Sequence, residues 1–141
     1  MALQETITTT WLDKMAFEVD VNGHKLTIDA VPEVGGEDRG PRPKPFMLAA
    51  LGGCTAMDVI SILQKMRVEV EDFKVHVTGD LTEEHPKQFY KMHVVYEFTG
   101  KDLPMDKLQR AVELSEERYC GVSAVYKKVI ELSSEIKVNG K

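Results

Sequence analysis

The sequence predicts an α+β fold with mostly antiparallel strand pairing. Three observations carry this: an Asn-Gly dipeptide centred in a run of alternating apolar residues, a second pair of alternating runs around a polar turn, and a long apolar segment opened by proline between them. The strands fall in hairpins set apart by helices, without the strand-helix alternation of a doubly wound sheet.

Residues 16–30, AFEVDVNGHKLTIDA, alternate around Asn22-Gly23, which supplies the two positive-φ positions of a tight turn, and so predict a β-hairpin. The run GGEDRGPRPKP from Gly35 to Pro45 admits neither helix nor central strand and is a loop carrying two of the five arginines. Pro45 then suits the first turn of a helix, and FMLAALGGCTAMDVISILQKMR follows without another proline and ends in basic residues, which predicts a long helix from Pro45 to Arg67. Its first half is apolar nearly all round, as expected of a helix through the interior of the domain or of a dimer.

Val70 to Leu81, the polar turn TEEHPKQ, and Phe89 to Thr99 read as a second hairpin, with Tyr90, Met92, Val94, Tyr96 and Phe98 alternating against Lys91, His93 and Glu97. Pro104 opens another helix, with Leu108, Ala111, Val112 and Leu114 to Ser115 as its buried stripe, ending near Tyr119. A short helix from Cys120 and a closing strand in VIELSSEIKVN complete the order. With 141 residues, of which 43% are hydrophobic and 29% charged, the chain has the size of one domain, residues 1–141, with one core.

The net charge of −5 makes nucleic acid an unexpected partner, because the field repels phosphate. No membrane span is expected either: the uninterrupted apolar stretch from Phe46 to Met57 is too short. The first residues, MALQETITTTW, have neither a basic nor an apolar region of a secretory signal, so the cytoplasm is the expected compartment. There is no GxGxxG, GxxxxGK[ST] or GxSxG, and no cofactor is expected. His24, His76, His85 and His93 form no metal motif, although His76 and His93 come near each other if the hairpin turn centres on Glu84 and His85; no metal is expected.

Two cysteines, Cys54 and Cys120, stand 66 positions apart and match neither a zinc spacing nor a CxxC motif. Cys54 follows Gly52-Gly53, where missing side chains let a backbone, a helix or a ligand approach. Such a thiol is either a small core residue or a nucleophile whose thiolate a cation or helix N-terminus stabilises. On a helix, Asp58, Ser61 and Lys65 fall within about 40° of the Cys54 direction, and Asp58 opposes thiolate formation there. Cys120 falls at a helix junction, where a turn leaves a side chain reachable.

The stretch PRPKPFMLAALGGCTAMDVISILQKMR, ending at Arg67, followed by Glu117-Arg118-Tyr119-Cys120-Gly121-Val122-Ser123, resembles the OsmC/Ohr family of thiol-dependent hydroperoxide reductases. The resemblance covers nearly the whole chain and is closest to the OsmC-like branch carrying Gly-Gly-Cys-[ST]-Ala-x-Asp-Val. It implies an OsmC-like fold, antiparallel sheets wrapped around a long central helix in an intertwined homodimer with active sites at the subunit interface. It further implies a peroxidase acting on small organic hydroperoxides, with hydrogen peroxide a second candidate. Cys54 would attack, Cys120 would resolve, and an external dithiol, of the lipoyl type, would reopen the disulfide.

Family peroxidases carry an acidic residue nine or ten positions before the reactive cysteine; here those positions are Pro45 and Lys44. No arginine precedes Arg39, so Arg39 and Arg42, with Lys44 as a third, are the candidates for binding substrate or stabilising the thiolate. The alternatives are a dimeric small-ligand-binding module with unreactive thiols, and a redox sensor, both on the same scaffold.

Overall fold

A computed structural model describes residues 3–141. They form two compact units, Met1–Phe46 and Met47–Lys141, each with a three-stranded sheet.

In the first unit, β1 (Thr8–Asp13), β2 (Ala16–Val21) and β3 (His24–Ile28) pair antiparallel in that order. Asn22 and Gly23 have φ of 52° and 82° and close the β2–β3 hairpin with Val21 opposite His24, as their sequence requires. Strand β1 is an addition that hydrophobic alternation does not reveal: its Thr-Thr-Thr-Trp run has strand propensity but no period of two. A single 3-10 turn, Pro32–Val34, leads into the expected Pro/Gly loop.

The second unit is built on α1 (Phe46–Lys65), which matches the predicted helix to within two residues at its end. Only Leu51, Thr55, Val59 and Leu63 of it are buried, one stripe at four-residue spacing, while Met57 is 74% exposed. Of the two expectations for this helix, the interior of the domain is not met within one chain: α1 buries one stripe, packs Leu48, Cys54 and Ile62 partly against the core, and leaves Phe46, Met47 and Met57 exposed. By length and composition alone α1 could also cross a membrane, but its buried stripe lies in the hydrophobic core.

Strands β4 (Asp72–Leu81) and β5 (Phe89–Thr99) form the second hairpin, and Phe73 stacks on its cross-strand partner Phe98 at 4.6 Å between centroids. The inward alternation holds at Met92, Val94, Tyr96 and Phe98 and fails at Tyr90, which is exposed while Phe89 is buried. The cause is a bulge: Asp80 pairs with Lys91 but Leu81 with Phe89, so one extra residue of β5 shifts the pleat. The same register sets His93 opposite Thr78 and His76 opposite Val95, and each histidine faces its own carboxylate, Glu135 and Glu97 respectively.

The closing strand β6 (Glu131–Val138) pairs parallel with β5, the exception among four otherwise antiparallel pairings. A parallel neighbour needs a crossover, supplied by α2 (Met105–Leu114), a π-helical turn (Ser115–Tyr119) and α3 (Gly121–Tyr126). Leu108, Ala111 and Val112 of α2 close the core against β5 and α1.

Met92 is fully buried at the centre of this core. Met92→Ala should lower stability by about 2–5 kcal/mol, read as a shift in urea midpoint at unchanged slope.

Candidate functional site

Cys54 lies in the middle of α1, beside the buried stripe. Gly52 packs toward β4, where an added Cβ would meet Val77 Cγ2 at 3.2 Å, so this glycine serves helix–sheet approach. Gly53 faces open space instead. The two glycines therefore act differently, the first meeting the sheet and the second facing open space.

Cys120 is placed by the π-helical turn. Its N–H donates to the Ser115 carbonyl at 2.8 Å, the five-residue ring that ends the turn, and its φ and ψ of −76° and 103° redirect the chain into α3. The side chain is 3% exposed, and its sulfur accepts the Ser123 N–H at 3.3 Å.

These placements bring Cys54 Sγ, Cys120 Sγ and an Asp58 carboxylate oxygen to within 4.8 Å of one another. Both cysteines are free thiols, Cys54 half-buried and Cys120 buried. A movement of about 3 Å would join the sulfurs at bonding length. Asp58 also lines a cavity of about 510 Å³ with Ser61, Lys65 and Tyr119, so the polar stripe read from helix periodicity does open onto one space.

Burial pushes the Cys54 thiol pKa up; the Val122 N–H opposes this, while Cys120 and Asp58 push it further up. At neutral pH the thiol form is thereby favoured.

The sequence reading missed a buried hydroxyl junction beside these groups. Thr55 Oγ1 lies 2.8 Å from both Tyr96 OH and Ser115 Oγ, and all three side chains are buried. Ser115 donates to Asp58 at 3.0 Å and Tyr96 donates to Glu116 at 3.1 Å. Burial pushes the Tyr96 pKa far up and keeps the phenol neutral. The available signal was Thr55 and Ser115, hydroxyl residues at positions where helix periodicity demands apolar ones.

Arg39 and Arg42 belong to the first unit. Arg39 binds Asp29 at 3.4 Å, pairs with Asp13, and lies 3.5 Å from Glu37. Arg42 pairs with Asp38 and donates to the Gly40 carbonyl at 2.9 Å; its Nη1 is buried and has no partner among the described residues. Asp29 gathers the loop: it accepts the N–H groups of Ala30, Glu37 and Arg39. Burial disfavours its charge, but these backbone donors and the Arg39 side chain together hold its pKa below the usual carboxylate range.

The family model for OsmC-like protein matches residues 35–135. The chain belongs to the OsmC-like family. It is 35% identical over 129 residues to the protein YhfA of Escherichia coli K12, an alignment covering 91% of this chain and 93% of YhfA. A hypothetical protein from Aquifex aeolicus VF5 superposes with a TM-score of 0.82 at 31% identity, covering 99% of both chains. The organic hydroperoxide resistance protein OhrB of Bacillus subtilis shares the fold, with a TM-score of 0.67 at 16% identity over 96% of this chain and 98% of that one. The α+β architecture of two sheets and three helices is thus that of OsmC-like structures, as the sequence led us to expect.

Two outcomes test this geometry. Removing the Asp58 charge takes away one of the influences that disfavour the thiolate, so Asp58→Asn should move the pH profile of Cys54 alkylation to lower pH than in the unmodified chain. Asp29 has a depressed folded pKa, so its contribution to stability is present above its unfolded value and is lost as pH falls through the folded one. Acid unfolding below about pH 4 should therefore become shallower in Asp29→Asn, measured by denaturation across pH.

Proposed function

We propose that the protein is a cysteine-based peroxidase that reduces small organic hydroperoxides, with hydrogen peroxide as a second substrate. The observation that carries the reading is the pair of free thiols, 66 residues apart in the chain, whose sulfurs the fold brings within 4.8 Å. Membership of the OsmC-like family and likeness to proteins named for organic hydroperoxide resistance support it.

Cys54 is the more accessible sulfur and attacks; Cys120 is buried and resolves. The Cys54 thiolate takes the distal oxygen of ROOH, the O–O bond breaks, and the alkoxide leaves as the alcohol after gaining a proton. The Cys120 thiolate then attacks the Cys54 sulfenic acid, forming the S–S bond and releasing hydroxide that is protonated to water. An external dithiol of the lipoyl type returns two electrons and two protons.

The thiolate needs a positive neighbour, because burial, Cys120 and Asp58 all disfavour it. Arg39 and Arg42 are its proposed sources. Each is already engaged with a carboxylate, Arg39 with Asp13 and Asp29 and Arg42 with Asp38, so either would have to share its charge with the thiolate. A homodimer in the cytoplasm, without resident cofactor, completes the proposal; the uncovered apolar surface of α1 supports a second copy as its cover.

A second reading, a small-ligand-binding module, is favoured by one observation in the first unit. A cavity of about 540 Å³ is lined by apolar side chains including Met15, Phe17, Ile28 and Val34, with Arg42 and Asp29 at its wall. Such a lining suits a small, largely apolar molecule.

Anaerobic titration of the reduced protein with cumene hydroperoxide separates these readings and the redox sensor. The peroxidase consumes both thiols at one equivalent, loses two hydrogens in intact mass, and turns over repeatedly with a dithiol. In Cys54→Ser the reaction is abolished, and in Cys120→Ser it stops at the sulfenic acid. A sensor oxidises once without turnover. Survival of both thiols in excess peroxide rejects the enzyme, and retention of a co-purifying apolar ligand then selects the binding module.

A further inference from the structure

The same three side chains present a second chemistry that does not depend on peroxide. Two thiol sulfurs and a carboxylate oxygen, all within 4.8 Å of one another, come from two separate segments and converge on one point. In a tetrahedral zinc site, bond lengths near 2.3 Å to sulfur and 2.0 Å to oxygen place neighbouring ligand atoms about 3.5–3.8 Å apart. Contraction by about 1 Å would therefore close the triad around a metal ion.

Two of the three groups already have an outer donor to orient them: Cys120 receives the Ser123 N–H at 3.3 Å and Asp58 the Ser115 hydroxyl at 3.0 Å. Outer partners of this kind fix ligands in metal sites. The electrostatics also favour a cation. Two thiolates and a carboxylate gathered at this separation repel one another. A divalent ion turns that repulsion into attraction. Soft sulfur with one oxygen suits a borderline ion of the zinc class, and excludes magnesium and calcium, which take oxygen ligands. Asp58 also lines the 510 Å³ cavity, and three protein ligands leave the fourth position of a tetrahedral ion to water or another ligand.

We propose that the reduced protein binds one zinc-class divalent cation per chain through Cys54 Sγ, Cys120 Sγ and an Asp58 oxygen. The distance of 66 residues between the cysteines hides the site from any spacing motif, since the ligands meet only through tertiary structure. Binding releases the two thiol protons to solvent. The disulfide and the metal complex are mutually exclusive, so metal occupies only the reduced state and shields both sulfurs from peroxide.

The test uses the full-length protein, reduced and freed of metal with chelator, titrated anaerobically with Co²⁺ and then with Zn²⁺ in competition with a chromophoric chelator. One equivalent of Co²⁺ should produce a near-ultraviolet sulfur-to-cobalt band and the visible bands of four-coordinate cobalt, and Zn²⁺ should remove both. Cys54→Ser and Cys120→Ser should abolish the charge-transfer band, and Asp58→Asn should weaken Zn²⁺ by at least about tenfold, the smallest loss expected even for an outer partner. Absence of the band in the unmodified protein overturns the site, as does Zn²⁺ affinity that survives loss of both cysteines and vanishes in His76→Ala with His93→Ala. Cumene hydroperoxide added to the metal-free sample keeps the two readings apart. Thiols oxidised by peroxide in a protein that takes no metal reject this site and leave the peroxidase; a protein that takes metal and resists peroxide does the reverse.

Discussion

The arrangement of the second unit depends on one buried contact set, the meeting of Thr55, Tyr96 and Ser115. Thr55 follows Cys54 on α1, Tyr96 lies at the centre of β5, and Ser115 begins the turn that ends at Cys120. Three hydroxyls, with Thr55 Oγ1 2.8 Å from each of the other two and all shielded from water, join helix, sheet and crossover at a single place. A buried hydroxyl deprived of its partner is costly, which makes the position of each element conditional on the other two. The separation of the two sulfurs is set here: shift any member of the junction and Cys54 and Cys120 lose their common origin. Asp58 is tied to the same point through Ser115.

The junction also explains what the amino-acid sequence reveals and what it withholds. Elements governed by local chemistry are legible: Asn22-Gly23 demands its hairpin, Pro45 and the basic end bracket α1, and alternation marks β5 from Met92 onward. The failures share a cause in pairing between distant segments. Strand β1 has no alternation because its place depends on β2, and Tyr90 points outward because of a bulge created against β4. The parallel direction of β6 is a property of the crossover, invisible within the strand itself.

For the site, the two cysteines and the stripe of Asp58, Ser61 and Lys65 are readable from family likeness and helix geometry. Thr55, Ser115 and Tyr96 are not, because a hydroxyl on an apolar face acquires meaning only when its partner is known. The arginines show the opposite limit. Arg39 and Arg42 stand out by their scarcity, yet the structure finds both engaged with carboxylates, and only the orphan nitrogen of Arg42 distinguishes them.

The path from Cys54 to Cys120 encloses β4, β5 and α2, most of the second sheet and the helix that covers it. A covalent link between the two thiols would therefore tie a ring around the element with the most buried side chains, not around a peripheral loop. By chain-entropy arguments, closing a ring of this size removes about 4 kcal/mol of freedom from the unfolded ensemble. Oxidation state and resistance to unfolding would then be two faces of one variable: a cell that depletes its dithiols would hold this protein in its more durable form, and reduction would restore chemistry and fragility together.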